Sequence, residues 1–176
     1  MDQMTLDPRA EFLDPTSIQL RRTLPGPIER VWAYLTESDL RSKWLASGEM
    51  TLEVGAPFTF TWRNGTLTAP AGTPPEGMTG EHSMESRITE LDPPRKLSFT
   101  WDVTGGVTFE LEPDGDEVVL TVTHRRVERR SLLVGVSSGW HTHLDLLAVR
   151  LAGASPEPFW DGFRRNRADY EARIPQ

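Results

Sequence analysis

The side chains best suited to chemistry in this sequence are four histidines, His82, His124, His141 and His143. Three convergent imidazoles would hold a metal ion, and one beside a polar substrate group would serve as a general acid or base. The spacing argues against the metal. His141 and His143 lie two residues apart, so on a helix they point to different faces, unlike the i, i+4 pair of an HExxH site. His82 shares strand parity with Met84 and Ser86, and His124 with Leu120 and Val122, so both are placed to face inward. His143 falls beside an apolar helical stripe. His143 and His124 are therefore the polar candidates for a cavity wall, with Arg63 a third group able to orient the polar end of a ligand. No metal site is predicted.

Nucleophilic catalysis has little support. The chain has no cysteine and no GxSxG motif. Without cysteine there are no disulfides, thiolate nucleophiles, thiolate-bound zinc or iron–sulfur clusters. Glu110 and Glu112, and Asp114 and Asp116, fall on an outward strand face or in a turn, where carboxylates meet solvent. Asp145 follows His141 by four residues and reads as a surface helix pair. No catalytic residue and no cofactor is predicted. The basic run Arg125-Arg126-Val127-Glu128-Arg129-Arg130 reads as solvating a strand end.

Positioning these groups takes a domain of 176 residues, within the range of a single core. Nineteen basic against 26 acidic residues give a net charge of −7, which repels a phosphate backbone. Neither nucleic acid nor a membrane surface is expected as a partner. The first fifteen residues are acidic with no apolar run, so they do not read as a signal peptide. A cytoplasmic location is expected. Six Trp and seven Phe against two Tyr demand either a bulky core or a wide apolar pocket.

Periodicity supplies the elements. Residues 1–15 read as a flexible arm. Ser17–Thr23 alternates as a first strand. Pro27 opens a helix to Thr36 whose apolar face is Ile28, Val31, Trp32 and Leu35. Ser38 caps a second short helix through Trp44. A period of two then predicts strands over Glu49–Val54, the Phe58/Phe60/Trp62 segment, Glu81–Leu91, Lys96–Val103, Gly106–Glu112 and Glu117–Val127. Residues 65–80 read as a loop with a short pairing at Leu67. Short Gly/Pro turns imply an antiparallel meander. Trp140, Leu144, Leu147 and Leu151 mark a long helix, with Ser138 and Gly139 at its cap and Gly153 at its stop. Leu146 and Val149 lie opposite that stripe and need either the tail or a second subunit as partner. Ser155-Pro156 opens a last helix carrying Phe159, Phe163, Tyr170 and Ile174 on roughly one side.

This order resembles the START-like, helix-grip superfamily, and within it the group named for the activator of the heat-shock-protein-90 ATPase. The resemblance is carried by Pro27-Ile28-Glu29-Arg30-Val31-Trp32, Leu40-Arg41-Ser42-Lys43-Trp44, Glu90-Leu91-Asp92-Pro93-Pro94-Arg95-Lys96-Leu97, Phe99-Thr100-Trp101 and Ser138-Gly139-Trp140. It covers residues 17–155. It implies an α+β helix-grip fold: a curved antiparallel sheet of six to seven strands wrapped on a long C-terminal helix, with two short helices after the first strand. A START-like domain over 16–155 would carry a helical extension, 156–176, packed on it. The family further implies an apolar cavity between sheet and terminal helix.

Together these readings predict binding of a small apolar or amphipathic molecule, with no chemistry assigned. The expected ligand-binding residues are Trp44, Phe58, Phe60, Trp62, Met84, Phe99, Trp101, Phe109, His124, Trp140, His143, Leu144 and Leu147. Two alternatives stand beside this: a protein-interaction module regulating a chaperone ATPase, and a cyclase- or hydrolase-type enzyme using His143 or His124. The aromatic tail leaves a homodimer open.

Overall fold

A computed structural model describes residues 6–78 and 80–176. Seven strands form one antiparallel sheet: β1 (Glu11–Asp14), β2 (Ser17–Pro25), β3 (Pro57–Trp62), β4 (His82–Asp92), β5 (Lys96–Phe99), β6 (Val107–Asp114) and β7 (Glu117–His124). Their spatial order is β1-β2-β7-β6-β5-β4-β3. Two short helices, α1 (Ile28–Thr36) and α2 (Ser38–Arg41), carry the chain from β2 to β3 at the far edge. The long helix α3 (Arg130–Ala152) crosses the sheet, and α4 (Phe159–Arg173) packs on α3. Among the described residues no helix is long and apolar enough to cross a membrane.

The period-two faces survive as the core. Phe58, Phe60, Leu97, Phe99, Phe109, Leu120 and Val122 are buried from the sheet side, and Leu144, Leu147 and Leu151 from α3. Trp44 is fully buried, and its Nε1–H donates to the Tyr34 carbonyl at 2.7 Å. The ends of the elements depart from the sequence reading in instructive places. Of the arm expected over 1–15, residues 1–5 lie outside the described residues, while Glu11–Asp14 pair with β2 as an edge strand. Ala10 is buried where its N–H donates to the Tyr170 hydroxyl at 2.7 Å. Residues 49–54 form a loop and not a strand; Val54 is 65% exposed, so its apolar alternation has no core to face. Leu67 is buried without strand pairing, just after a 3₁₀ turn over Asn64–Thr66. Ser138 and Gly139 are interior to α3, whose first turn lies eight residues earlier at Arg130.

β5 also stops sooner than its alternation suggests. It ends at Phe99, and Val103 is 73% exposed. The turn that follows holds Asp102 at φ +43° and Gly106 at φ +95°. A Cβ on Gly106 would lie 2.8 Å from the Phe99 carbonyl oxygen, so this turn requires glycine. β4 has consequently two different neighbours. His82–Arg87 pair with β3, and from Ile88 onward, with a bulge between Ile88 and Glu90, the strand pairs with β5. A bulge bends its strand and increases twist, and the sheet curls at this point. The first half of β4 extends past the end of β5.

Arg41 locks the helical crossover to the sheet edge. It is completely buried, and its guanidinium donates to the carbonyls of Leu35, Thr36, Ala46 and Gly48. It lies 5.3 Å from the centre of the Phe60 ring. Burial pulls its pKa down to about 10, with Glu49 opposing. Arg41→Ala would strand four buried acceptors, each of which loses a charge-assisted bond. Chemical denaturation is expected to show a loss of about 3 kcal/mol or more, against well under 1 kcal/mol for the exposed Arg95→Ala.

Candidate functional site

The gap left beside β4 is one wall of a cleft of about 960 Å³. Met84 and His82 come from β4, and Trp62 from the end of β3. Trp101 turns in from the segment after β5. Opposite stands α3, with Val136, Trp140 and His143, and Trp160 and Phe163 of α4 close one end. Leu45, Met78 and Leu132 complete the apolar lining.

The aromatic set divides into core and wall. A chain of edge-to-face and tilted contacts runs from Phe58 through Phe60, Phe99 and Phe109, at centroid separations of 4.9–5.3 Å. It continues to Trp62, Trp101 and Trp140, which sit 5.3–5.4 Å apart in sequence of contact. Such contacts fix ring orientation beyond simple burial. Of the thirteen residues expected to bind a ligand, Trp62, Met84, Trp101, Trp140 and His143 border the cleft. Phe58, Phe60, Phe99, Phe109, Leu144, Leu147, Trp44 and His124 do not; they are buried in packing behind it. Arg63 does not line the cleft; it pairs with Glu81, a residue of the cleft rim.

The four histidines have four different environments. His124 is fully buried. Its Nδ1 accepts from Trp140 Nε1–H at 3.1 Å, which places the proton on Nε2, and that atom donates to Thr104 Oγ1 at 2.9 Å. Thr104 donates onward to the Trp101 carbonyl. Both nitrogens are used, so His124 orients two wall tryptophans and has nothing left for a ligand. Burial pushes its pKa down to about 3, with Arg125 adding to the effect. His143 is 6% exposed, and Nδ1 donates to the Trp44 carbonyl at 2.7 Å. A carbonyl only accepts, so in the neutral ring Nε2 is a bare acceptor. Burial lowers this pKa to about 4, opposed by the Trp44 carbonyl. His82 is exposed and stacks on Trp62 at 5.5 Å.

His141 corrects the expected surface pair. It is buried between α3, α4 and β2. Tyr170 O–H donates to its Nδ1 at 2.8 Å, and Nε2 faces Asp145 at 3.4 Å, which Arg22 also bridges at 2.9 Å. Burial lowers the His141 pKa and raises that of Tyr170 to about 12. Tyr170 is fully buried and His141 nearly so, and this Tyr–His–Asp row is a strut joining the tail, α3 and β2, with only Asp145 part-exposed at its end. Of the basic run, Arg130 reaches α4 and donates to the carbonyls of Glu171, Ile174 and Pro175. Among the described residues no three His, Asp or Glu side chains gather as metal ligands.

Sequence reasoning missed Leu45, Val136, Trp160 and Phe163 as wall residues. The tail aromatics carried a signal, being too bulky for a solvated end, but their docking site depends on the path of residues 68–73. There Phe159 N–H donates to Thr68 Oγ1, and Trp160 N–H to the Ala71 carbonyl. α4 also covers Leu146 of α3, while Val149 stays part-exposed at the edge of a smaller cavity between the two helices.

The fold and its cleft define an α+β protein in which a curved antiparallel sheet grips a long helix. The chain belongs to the family described as activator of Hsp90 ATPase homolog 1-like protein, whose model matches residues 25–152. A solution structure of a Bordetella parapertussis protein is 37% identical, with a TM-score of 0.80, over 100% of this chain and 95% of that one. CalU16 of Micromonospora echinospora shares the fold at 21% identity and TM-score 0.65, over 91% and 89% of the two chains. A conserved Enterococcus faecalis protein does so at 18% and 0.68, over 94% and 88%. No curated protein matches.

His124 and His143 make a pH signature. The unfolded chain protonates each near pH 6.5, the folded chain only near 3 and 4. Between those values folding expels protons, so stability falls as pH drops from about 6.5 to 4. His124→Asn keeps an acceptor for Trp140 and cannot charge. Urea midpoints across this range should show an acid-side slope shallower than wild type by up to about 1.4 kcal/mol per pH unit.

Proposed function

We propose that the protein binds a small apolar or amphipathic molecule in the cleft between β4 and α3. The observation that carries this reading is the cleft itself: about 960 Å³ of open space walled by Trp62, Trp101, Trp140 and Trp160. Space of this size suits a drug-sized ligand, and an apolar wall with a few polar groups is the usual make-up of such sites. Covering roughly 300 Å² of apolar ligand surface would contribute about 7 kcal/mol before the cost of immobilisation. The ring contacts and the His124 network hold the wall tryptophans in place before any ligand arrives, which keeps that cost down.

Nile red, a neutral apolar dye, tests this. Wild type should bind it saturably with a blue-shifted emission. Val136→Trp, which places an indole in the cleft, should weaken binding at least tenfold while the urea midpoint changes little. No saturable binding by wild type, or equal binding by the filled variant, would overturn the reading.

The family description supplies a second reading, a module acting on a chaperone ATPase. It predicts a changed ATPase rate when this protein is added in excess to purified Hsp90; an unchanged rate removes it.

A further inference from the structure

One face of α3 has a composition that packing does not explain. Ser131, Gly135, Gly139 and His143 follow one another at four-residue intervals, and all four border the cleft. Glycine inside a helix carries an entropic cost relative to alanine. Glycines that permit close helix packing give a reason for that cost, but these do not: a Cβ built on Gly135 or Gly139 meets no atom within 4 Å. The two positions lie about 6 Å apart along the helix axis, so together they expose a smooth strip of backbone facing open space.

The strip ends at a buried acceptor. His143 is 94% buried, its Nδ1 is committed to the Trp44 carbonyl, and its Nε2 has no hydrogen-bond partner among the described residues. Among the described residues the fully buried side-chain polar atoms without partners are Asn64 Oδ1 and Ser137 Oγ; His143 Nε2 is not one of them, and its ring borders the cleft. The charged residues that line the cleft are acidic: Glu85 and Asp102, with Glu81 paired to Arg63, and no Lys or Arg lines it.

Resting on the ligand-binding reading above, we infer that the cleft selects a flat, non-anionic molecule that donates a hydrogen bond. Its ring lies against the Gly135–Gly139 strip, and its hydroxyl or N–H donates to His143 Nε2. A flat ring reaches the helix backbone where a Cβ would hold it off, and the indole of Trp101 across the cleft, with Trp140 beside the strip, offers aromatic surface to its edge or face. A carboxylate at the same place has no proton for Nε2 and meets like charge at the rim. This assigns specificity to two glycines and one imidazole nitrogen.

Three pyrene probes of one ring shape separate the contributions: 1-hydroxypyrene, 1-methoxypyrene and 1-pyrenecarboxylate, each followed by its own fluorescence. Wild type is expected to bind 1-hydroxypyrene at least tenfold more tightly than either of the others. His143→Phe should bring 1-hydroxypyrene to the level of 1-methoxypyrene. Gly135→Ala/Gly139→Ala should raise the melting temperature, since alanine suits a helix better, and yet weaken 1-hydroxypyrene at least tenfold. That opposition of stability and binding separates a ligand seat from general damage. Equal affinity of wild type for the hydroxyl and methoxy probes, or undiminished binding by the alanine pair, would overturn the inference. If that happens while Nile red still binds saturably, the cleft reading stands and only its selectivity falls; if Nile red and all three pyrenes fail together, both fall.

Discussion

β4 pairs with different neighbours along its two halves, and the rest of the site depends on that mismatch. Its second half is matched by β5, but β5 ends at Phe99 because the next turn needs Asp102 and Gly106 at positive φ. Its first half pairs only with β3 on the outer side. A continuous β5 would have carried Trp101 and Val103 along the sheet and closed the space against α3. Instead Trp101 turns inward, Val103 turns out to solvent, and an opening remains between strand and helix.

The helix has to satisfy two surroundings at once. Over the sheet it presents Leu144, Leu147 and Leu151, a conventional buried stripe. Along the cleft it presents small residues and one imidazole. Its other side is covered by α4, held by the Tyr170–His141–Asp145–Arg22 row and by Arg130 on the tail carbonyls. These contacts help bury 13 of the 23 residues of α3 within the chain. They also make α4 part of the site, since Trp160 and Phe163 close one end of the cleft.

Local periodicity made much of this legible. The Phe58/Phe60/Trp62 parity, the Leu97/Phe99 parity and the helical spacing of Val31, Trp32 and Leu35 all reflect neighbours two or four residues away, and all hold in the structure. What was not legible depends on distant chain. Whether an inward aromatic is core or wall is set by what stands opposite, and nothing near Phe60 or Trp62 in sequence says that one meets Phe99 and the other an opening. Leu52 and Val54 alternate like a strand but have no sheet to join. Ser138 and Gly139 resemble a cap in sequence, but Ser138 is buried with its hydroxyl bonded to the Val134 carbonyl, and Gly139 borders the cleft. The histidines show the same limit: parity put His124 inside, but only the Trp140 and Thr104 contacts reveal that both its nitrogens are taken.

The tryptophan wall is the proposed place where a small molecule is received, and the indole N–H signals report on it directly. A ¹⁵N-edited NMR titration with Nile red should shift the indole signals of Trp62, Trp101 and Trp160 along one saturable curve. The Trp44 indole, buried and tied to the Tyr34 carbonyl, should stay in place. Saturable shifts confined to residues outside the cleft, or no saturable shift in any of the three wall indoles, would contradict it.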